Sequence, residues 1–221
     1  MLLGTSRPTY ITVIGAGAIG SFFAARFTRA GYAVGVVARG SRLQSIRRLG
    51  GLIKADSPLA VGVLAEPTFS ALPAPYLVIL CTKTQDLDEV LSQLKPHASP
   101  NLGVVTVQNG GEAPELVAVK LPSVQVLAGR VHGFFELHGD VVRHLGVEPS
   151  LAFGTLEGLP SPAAELLATC LQSARIGFTR PEDMRRSLWE KFLLASSIGG
   201  VGAALAALTE YDFTYKGHLE K

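Results

Sequence analysis

Three glycines with a fixed spacing lie near the start of the chain, between the apolar run YITVI and a stretch of small apolar residues. The loop has the Gly-x-Gly-x-x-Gly spacing of a strand–loop–helix unit that binds a dinucleotide. In such a loop Gly15 permits a tight turn, Gly17 lets the main chain approach a pyrophosphate, and Gly20 allows close packing of the helix. The pyrophosphate then meets unpaired N–H groups at the positive end of the helix dipole. The predicted cofactor-binding residues of this loop are Gly15, Ala16, Gly17, Ala18, Ile19 and Gly20.

The residue at the end of the second predicted strand bears on which dinucleotide is bound. About 20 residues past such a loop, an NAD-binding protein carries Asp or Glu to hold the ribose 2′-hydroxyl. This chain has Arg39 there, in the sequence VGVVARGSR. A guanidinium matches the geometry of a phosphate, and Arg42 could add a second charge-assisted contact. Arg39 therefore favours NADP(H) over NAD(H), and the alternative is a solvated arginine at the end of a strand.

The first half of the chain alternates between apolar runs and amphipathic stretches. The predicted strands are YITVI, AVGVVA, YLVILCT and LGVVTVQ, and the predicted helices cover residues 18–29, 42–49 and 86–94. This alternation is typical of βαβ units, so we predict an α/β fold with a Rossmann-type, doubly wound sheet. The intervening sequence GGLIKADSPLAVGVLAEPTF predicts a small irregular or hairpin insertion.

The second half of the chain has a different pattern. Between residues 124 and 157, short alternating runs flank an HGD turn at residues 138–140 and predict an added antiparallel hairpin. Ser161 and the following Pro162 are typical of a helix start, and that helix is predicted to end at about residue 173.

A domain boundary is predicted after the last strand, RIGFT, because a second helical pattern begins at Glu182. We therefore predict two domains. Residues 1–180 form an NADP-binding Rossmann-type domain, and residues 181–221 form the start of an all-helical substrate domain.

The composition excludes several classes of protein. A chain with 48% hydrophobic and 17% charged residues, without long charged runs, is predicted to be ordered and globular. Its net charge is only +2 and its basic residues are scattered, so nucleic acid is not an expected partner.

The first ten residues lack a signal-peptide core and the two cysteines fit reduced thiols, so a cytoplasmic location is predicted. The three histidines at positions 132, 138 and 144 would lie roughly 20 Å apart along a strand, so no metal site is predicted.

Residues 192–209, FLLASSIGGVGAALAALT, form an uncharged stretch almost long enough to cross a membrane. Its serines and clustered glycines fit a buried helix at least as well, so no membrane association is predicted. Without further helices to cover it, such an apolar helix should drive self-association, so we predict a homo-oligomer that forms through this segment.

The order of the motifs resembles that of a known enzyme family. The glycine loop, Arg39, CTKTQD, VQNGGE, the HGD hairpin and EDMRRSLWEKFLLA together resemble ketopantoate reductase (2-dehydropantoate 2-reductase), over about residues 11–208. The resemblance implies an N-terminal domain that carries NADPH and a helical C-terminal domain that covers the cleft. It also implies reduction of the 2-keto group of ketopantoate to a hydroxyl, a step of pantothenate biosynthesis.

The same resemblance implies roles for four polar residues. Lys191, within SLWEK, matches the family's catalytic lysine, which donates a proton to the oxygen that gains negative charge as hydride arrives. Asn109 would organise the reacting carbonyl beside the nicotinamide, and Lys83 and Gln85 would lie beside the cofactor. The alternatives are an exposed helix lysine, an Asn-Gly turn and a solvated loop, respectively.

Two features depart from the family pattern. At four and eight positions after Lys191, where the family carries substrate-binding asparagines, this chain has Ala195 and Gly199. The predicted substrate is therefore ketopantoate or a related, larger or more apolar 2-keto acid. Few residues follow Asp183 compared with the family's helical domain, so the resemblance is to a C-terminally truncated member. The alternative function is a non-catalytic, NADP-binding remnant of that family.

Overall fold

Strands and helices alternate through the residues that the computed structural model describes, which are 10–54 and 57–209. The strands are β1 (Tyr10–Ile14), β2 (Ala33–Val37), β3 (Leu52–Lys54), β4 (Ser57–Val61), β5 (Leu64–Glu66), β6 (Leu77–Leu80), β7 (Gly103–Thr106), β8 (Gln125–His138), β9 (Val141–Gly154) and β10 (Gly177–Thr179). The helices are α1 (Ala18–Arg29), α2 (Gly40–Leu49), α3 (Leu87–Leu94), α4 (Glu112–Lys120), α5 (Pro162–Ser173) and α6 (Met184–Thr209).

The strands in these ranges form one mixed sheet, in the order β4-β3-β9-β8-β7-β6-β1-β2-β5, with β10 paired to β9. The six strands from β5 to β8 in this order are parallel, whereas β8 and β9 form an antiparallel hairpin. The direction of winding reverses beside β1, which lies between β2 and β6. The predicted doubly wound α/β sheet with an added hairpin is therefore confirmed.

The central strands and the first helix follow directly from the sequence pattern. β6 and β7 are buried at every position, as expected for parallel strands that are covered on both faces. α1 has the predicted bounds, and α5 begins where Ser161 and Pro162 indicate. The Ser161 side chain accepts a hydrogen bond from the Ala164 amide, which satisfies one of the free N–H groups at the start of α5.

Apolar side chains cover both faces of the sheet. On one face, α1 contributes three buried phenylalanines that pack with residues from α2 and α5, namely Phe22, Phe23, Phe27, Leu43, Ile46, Leu167 and Leu171. On the other face, the buried side chains come from α3 and α4, namely Leu87, Val90, Leu91, Leu94, Ala113 and Val117. This two-faced packing fixes the carboxyl ends of the strands at one common edge.

Several elements differ from the sequence prediction. The insertion contains the β3–β4 hairpin, but it also contains β5, which extends the parallel sheet beside β2. The predicted short runs of the later hairpin are two continuous strands of 14 residues each. Helix α4 was not predicted, because its hydrophobic residues do not follow a clear helical period.

The last helix has two regions with different surroundings. Its first turns pack on β8, where Met184 and Leu188 bury Ala128. Farther along, Leu193, Leu194, Ile198 and Val201 are each at least 60% exposed. None of the helices in the described ranges is long and apolar enough to cross a membrane. The ends of the two predicted domains, residues 1–9 and 210–221, lie outside the described residues, and the domain boundary stays a prediction.

Candidate functional site

The loop between β1 and α1 requires glycine at two positions. Gly15 has a φ of +102°, a conformation that side chains other than hydrogen rarely allow. A Cβ on Gly15 would also lie 2.8 Å from the carbonyl carbon of Cys81 and the amide nitrogen of Thr82. A Cβ on Gly20 would lie 1.9 Å from the Gly15 carbonyl oxygen. The two glycines therefore let the first turn of α1 pack directly against its own loop and the end of β6.

Gly17 differs from the other two glycines because the space around it is open. It is exposed, and a Cβ placed on it would meet nothing within 4 Å. It is also the N-cap of α1, where no side chain accepts a hydrogen bond from the helix amides and no acidic residue lies in the first turn. The amides at this end of α1 are therefore available to an anion, which the helix dipole also favours. These features fit the pyrophosphate of a dinucleotide.

A cavity of about 380 Å³ opens beside this loop. Its walls include loop residues 15–17, the end of β2 and one side of α3, with Asp86, Val90 and Gln93. Leu137, from the β8–β9 hairpin, contributes a further part of the wall. The cavity therefore lies over the carboxyl ends of β1 and β2, on one side of the point where the winding reverses.

Arg39 lines this cavity, as the sequence analysis requires for a residue that contacts the adenosine ribose. Its guanidinium makes a bidentate ion pair with Glu89 of α3, with N–O distances of 2.8 and 2.6 Å. The hydrogen bond from Arg39 holds the pKa of the Glu89 carboxyl below its usual value. Glu89 was not identified from the sequence, because it lies 50 residues from Arg39 along the chain.

Arg42 also lines the cavity, but its donors are used within the protein. Its Nε donates to the Ala16 carbonyl oxygen at 3.0 Å, and one Nη donates to the Ser21 hydroxyl at 3.1 Å. The other Nη lies 3.6 Å from an Asp140 carboxylate oxygen at the hairpin turn. Burial lowers the pKa of Arg42, and Asp140 opposes that shift. Arg42 thus ties the glycine loop to the hairpin, and its predicted phosphate contact stays a prediction.

A second cavity, of about 410 Å³, lies over the carboxyl ends of β6 and β7. It shares Thr82 with the first cavity, so the two are adjacent. Its lining includes Ile19 of the glycine loop together with Lys83, Gln85 and Asn109. The fold therefore brings together three residues that the sequence analysis placed beside a cofactor.

Two polar residues in this cavity were not predicted as site residues. The side-chain oxygens Oγ1 of Thr82 and Oε1 of Gln108 are buried, and neither has a hydrogen-bond partner. The Gln108 amide nitrogen donates to the carbonyl oxygens of Leu80 and Thr82, at 2.9 and 3.0 Å. Buried polar atoms are rarely left without partners, so these two oxygens point to a ligand in the cavity. Their position immediately after β6 and β7 is the signal that could have identified them.

Asn109 also lines a smaller cavity, of about 140 Å³, where α6 approaches the sheet. Trp189 and Phe192 of α6 form part of its wall, and their rings meet edge-on with centroids 5.4 Å apart. Glu112 and Gly111, at the start of α4, complete the same region. The helix that carries Lys191 therefore passes directly beside Asn109.

Lys191 is not among the residues that line the two cavities of Asn109, and its side chain contacts β8. Its Nζ donates to the Val131 carbonyl oxygen at 2.7 Å. Burial lowers the pKa of Lys191, and the positive charge of Arg130 lowers it further. Arg130, which was also not predicted, has a buried Nε without a hydrogen-bond partner. Two cations thus lie together on the side of β8 that faces α6.

The ketopantoate reductase PanE/ApbA family matches residues 11–158, which contain the glycine loop, Arg39 and both larger cavities. The chain belongs to the ketopantoate reductase family. The suspected resemblance is therefore confirmed, although Lys191 lies beyond the residues that the family match covers.

Individual relatives extend the similarity into α6. A 2-dehydropantoate 2-reductase from Mesorhizobium japonicum is 28% identical over an alignment of 231 positions. The alignment covers 92% of this chain and 71% of that protein. One from Pyrococcus horikoshii is 28% identical and is matched over 64% of its length. The crystal structure of a PanE/ApbA family ketopantoate reductase from Ralstonia eutropha superimposes with a TM-score of 0.72 at 27% identity, over 82% of this chain and 59% of that one. The chain is thus shorter than these ketopantoate reductase relatives.

Two small residues occupy the positions of α6 where the family pattern has asparagine, and both lie on the exposed part of the helix. Ala195 and Gly199 are both exposed, and a Cβ on Gly199 would meet nothing within 4 Å. Within residues 10–54 and 57–209, no three His, Cys, Asp or Glu side chains come close enough to hold a metal ion.

The contrast between Gly20 and Gly17 gives a direct test of the loop. We expect Gly20→Ala to destabilise the protein by about 3 kcal/mol, because the new methyl group must displace a backbone carbonyl. For a chain of this size, the melting temperature should fall by about 10 °C. Gly17→Ala is the matched control, and its melting temperature should change by less than about 3 °C, because its methyl group enters open space. Equal melting temperatures for the two variants, measured by circular dichroism, would contradict the described packing.

Proposed function

We propose that this protein binds NADP(H) and uses NADPH to reduce a 2-keto acid, either ketopantoate or a related compound, to the 2-hydroxy acid. The observation that carries this proposal is the uncapped, glycine-lined start of α1, which opens into two adjacent cavities where the sheet reverses its winding. Membership of the ketopantoate reductase family supports the same reaction. Reduction of ketopantoate would place the protein in pantothenate biosynthesis.

The proposed cofactor site uses residues of both larger cavities. The amides of residues 15–20 would bind the pyrophosphate, and Arg39 would bind the 2′-phosphate of the adenosine ribose. Lys83, Gln85 and Asn109 would lie along the nicotinamide end. When bound, NADPH supplies the hydride for the reduction.

Thr82 and Gln108 support a ligand at the nicotinamide end of the cleft. Each has a buried side-chain oxygen without a partner, and such an atom costs free energy unless a ligand satisfies it. Gln108 also holds the main chain at Thr82 through its amide nitrogen. We therefore add both residues to the proposed cofactor-binding set.

Lys191 is the proposed proton donor, and Asn109 is proposed to orient the keto group. Hydride addition leaves negative charge on the keto oxygen, so a positioned proton donor lowers the barrier. An ammonium group has three N–H donors, so two remain on Lys191 beyond its bond to Val131. Its lowered pKa makes proton release easier than from an ordinary lysine. Trp189 and Phe192, on the same turn of α6, already border the cavity of Asn109.

The absence of two asparagines from α6 affects which substrate the site can bind. Ala195 and Gly199 offer a methyl group and a hydrogen where the family carries amides, so they cannot hydrogen-bond a substrate hydroxyl. We therefore propose ketopantoate or a bulkier, more apolar 2-keto acid. Residues 1–180 would serve as the cofactor domain and residues 181–221 as the start of the substrate domain, in a protein that acts in the cytoplasm.

The exposed side of α6 supports the proposed self-association. Leu193, Leu194 and Ile198 are 62%, 63% and 65% exposed, on a helix whose first turns already pack on β8. A cluster of large apolar side chains on a surface favours association, because burial against another molecule removes it from water. A second copy of the chain is the proposed partner.

The turnover prediction concerns Lys191. We expect the purified protein to oxidise NADPH with at least one member of a panel of 2-keto acids that includes ketopantoate. Lys191→Ala should lower kcat by roughly 10²- to 10⁴-fold, the usual contribution of a general acid, while the Kd for NADPH stays the same. Lys95→Ala, which changes an exposed lysine on another element, is the control and should keep the full rate. Full activity of Lys191→Ala would exclude that residue, and NADPH binding without turnover by the unmutated protein would favour the non-catalytic alternative.

A pH prediction follows from the neighbouring cations. Only protonated Lys191 can donate, so kcat/KM should fall as the pH rises through the pKa of this lysine. Arg130→Gln removes a positive charge that lowers this pKa, so the falling limb should move to higher pH. Arg130→Lys keeps the charge and should leave the limb near its original position. A pH profile that is the same in all three proteins would rule out this coupling.

The prediction for self-association concerns Leu194. We expect the protein to sediment as a species larger than a monomer at micromolar concentration. Leu194→Lys places a charge on the exposed apolar side of α6 and should shift the protein to the monomer. Val119→Lys, at a position on α4 that is 78% exposed, is the control and should not change the sedimentation coefficient. A monomeric unmutated protein would contradict the proposal.

A further inference from the structure

The arginine proposed to bind the 2′-phosphate already holds an anion that belongs to the protein itself. Both terminal nitrogens of Arg39 donate to Glu89, so the edge of the guanidinium formed by its two Nη atoms is occupied, while its other N–H donors remain. Gln93, which lines the same cavity, donates to a Glu89 oxygen at 3.3 Å. The side chains of Arg39 and Glu89 are 50% and 58% exposed, and Arg39 lines the cavity, so a ligand that binds Arg39 there meets a guanidinium already paired with Glu89.

The charges around this cavity do not favour a dianion strongly. The cations are Arg39 and Arg42, and the second is held by the Ala16 carbonyl and by Asp140. Asp86 lines the cavity and acts on Arg39 through its charge, in addition to Glu89. A phosphate group at Arg39 therefore approaches two carboxylates that belong to α3 or the turn before it. Because the phosphate and these carboxylates are all negatively charged, their repulsion lowers the affinity of the site for the phosphate.

We infer that Glu89 lowers the preference of this protein for NADPH over NADH, because it competes with the 2′-phosphate for Arg39. This inference rests on the proposed function. A 2′-phosphate at Arg39 either displaces Glu89 or lies beside its carboxylate, whereas NADH, which has a neutral 2′-hydroxyl, leaves the pair intact.

A second ion pair in the same protein provides a matched comparison. Arg180 and Glu165 also form a bidentate pair, with N–O distances of 2.7 and 3.1 Å, and both side chains are partly exposed. Neither residue lines the cavities beside the glycine loop. An ordinary surface pair contributes little to stability, so Glu89→Gln and Glu165→Gln should fold equally well. They should differ only in cofactor binding.

The test measures the dissociation constants of NADPH and NADH by calorimetry for the full chain and its variants. Glu89→Gln should raise the affinity for NADPH relative to NADH by roughly two- to fivefold, the range expected for a partly exposed ion pair. The same change should appear when 2′,5′-ADP is compared with 5′-AMP. Glu165→Gln should leave both ratios unchanged. In an Arg39→Ala background, Glu89→Gln should have little further effect on the ratio, because the two residues act as a pair.

The outcomes separate this inference from the function on which it rests. If the unmutated protein binds NADPH and Glu89→Gln leaves the NADPH/NADH ratio unchanged, the role of Glu89 is wrong and the proposed function stands. If the ratio shifts equally in the Arg39→Ala background, the effect does not act through Arg39, and the inference is again overturned. If the unmutated protein binds neither dinucleotide, both proposals fail together.

Discussion

The whole site depends on the contact between the first turn of α1 and the loop that precedes it. Gly20 lies so close to the Gly15 carbonyl that no side chain fits between them. This contact fixes the direction in which α1 leaves the sheet and places the start of the helix beside the cavity that residues 15–17 line. Gly17, in the middle, remains open. The same loop thus combines a close backbone contact at Gly20 with an open, exposed position at Gly17.

Arg42 extends that constraint to a distant part of the chain. Its guanidinium joins the Ala16 carbonyl to Asp140 at the tip of the β8–β9 hairpin. The hairpin also contributes Leu137 to the wall of the first cavity. Because a buried charge must find partners, Arg42 is held in a defined position between the loop and the hairpin. The added hairpin is therefore a structural part of the candidate cofactor site, although it lies outside the parallel core of the sheet.

The sequence predicted the local elements well and the long-range contacts poorly. The glycine spacing and the polar cap at Ser161 depend on neighbours within one turn, so the start of α1 and the start of α5 were found correctly. The partner of Arg39 comes from α3, and no local pattern reveals which carboxylate the fold will bring to it. Helix α4 was missed because its apolar residues lack a clear period, and its position is fixed by packing against the sheet. The unsatisfied oxygens of Thr82 and Gln108 likewise arise only when two strands end side by side.

The nucleotide end of the candidate site is more deeply packed into the fold than the end that carries Lys191. The first cavity is lined by the glycine loop and Arg39. The strands and helices that carry these residues pack into the apolar cores on the two faces of the sheet. Lys191, in contrast, lies on α6, whose first turns pack on β8 and whose residues 192–201 are exposed. Local stability follows the density of buried contacts, so the nucleotide end should be rigid while the lysine end depends on what covers α6. Cofactor binding and proton donation are therefore separable properties of this fold, and an association that covers α6 would act on the second without altering the first.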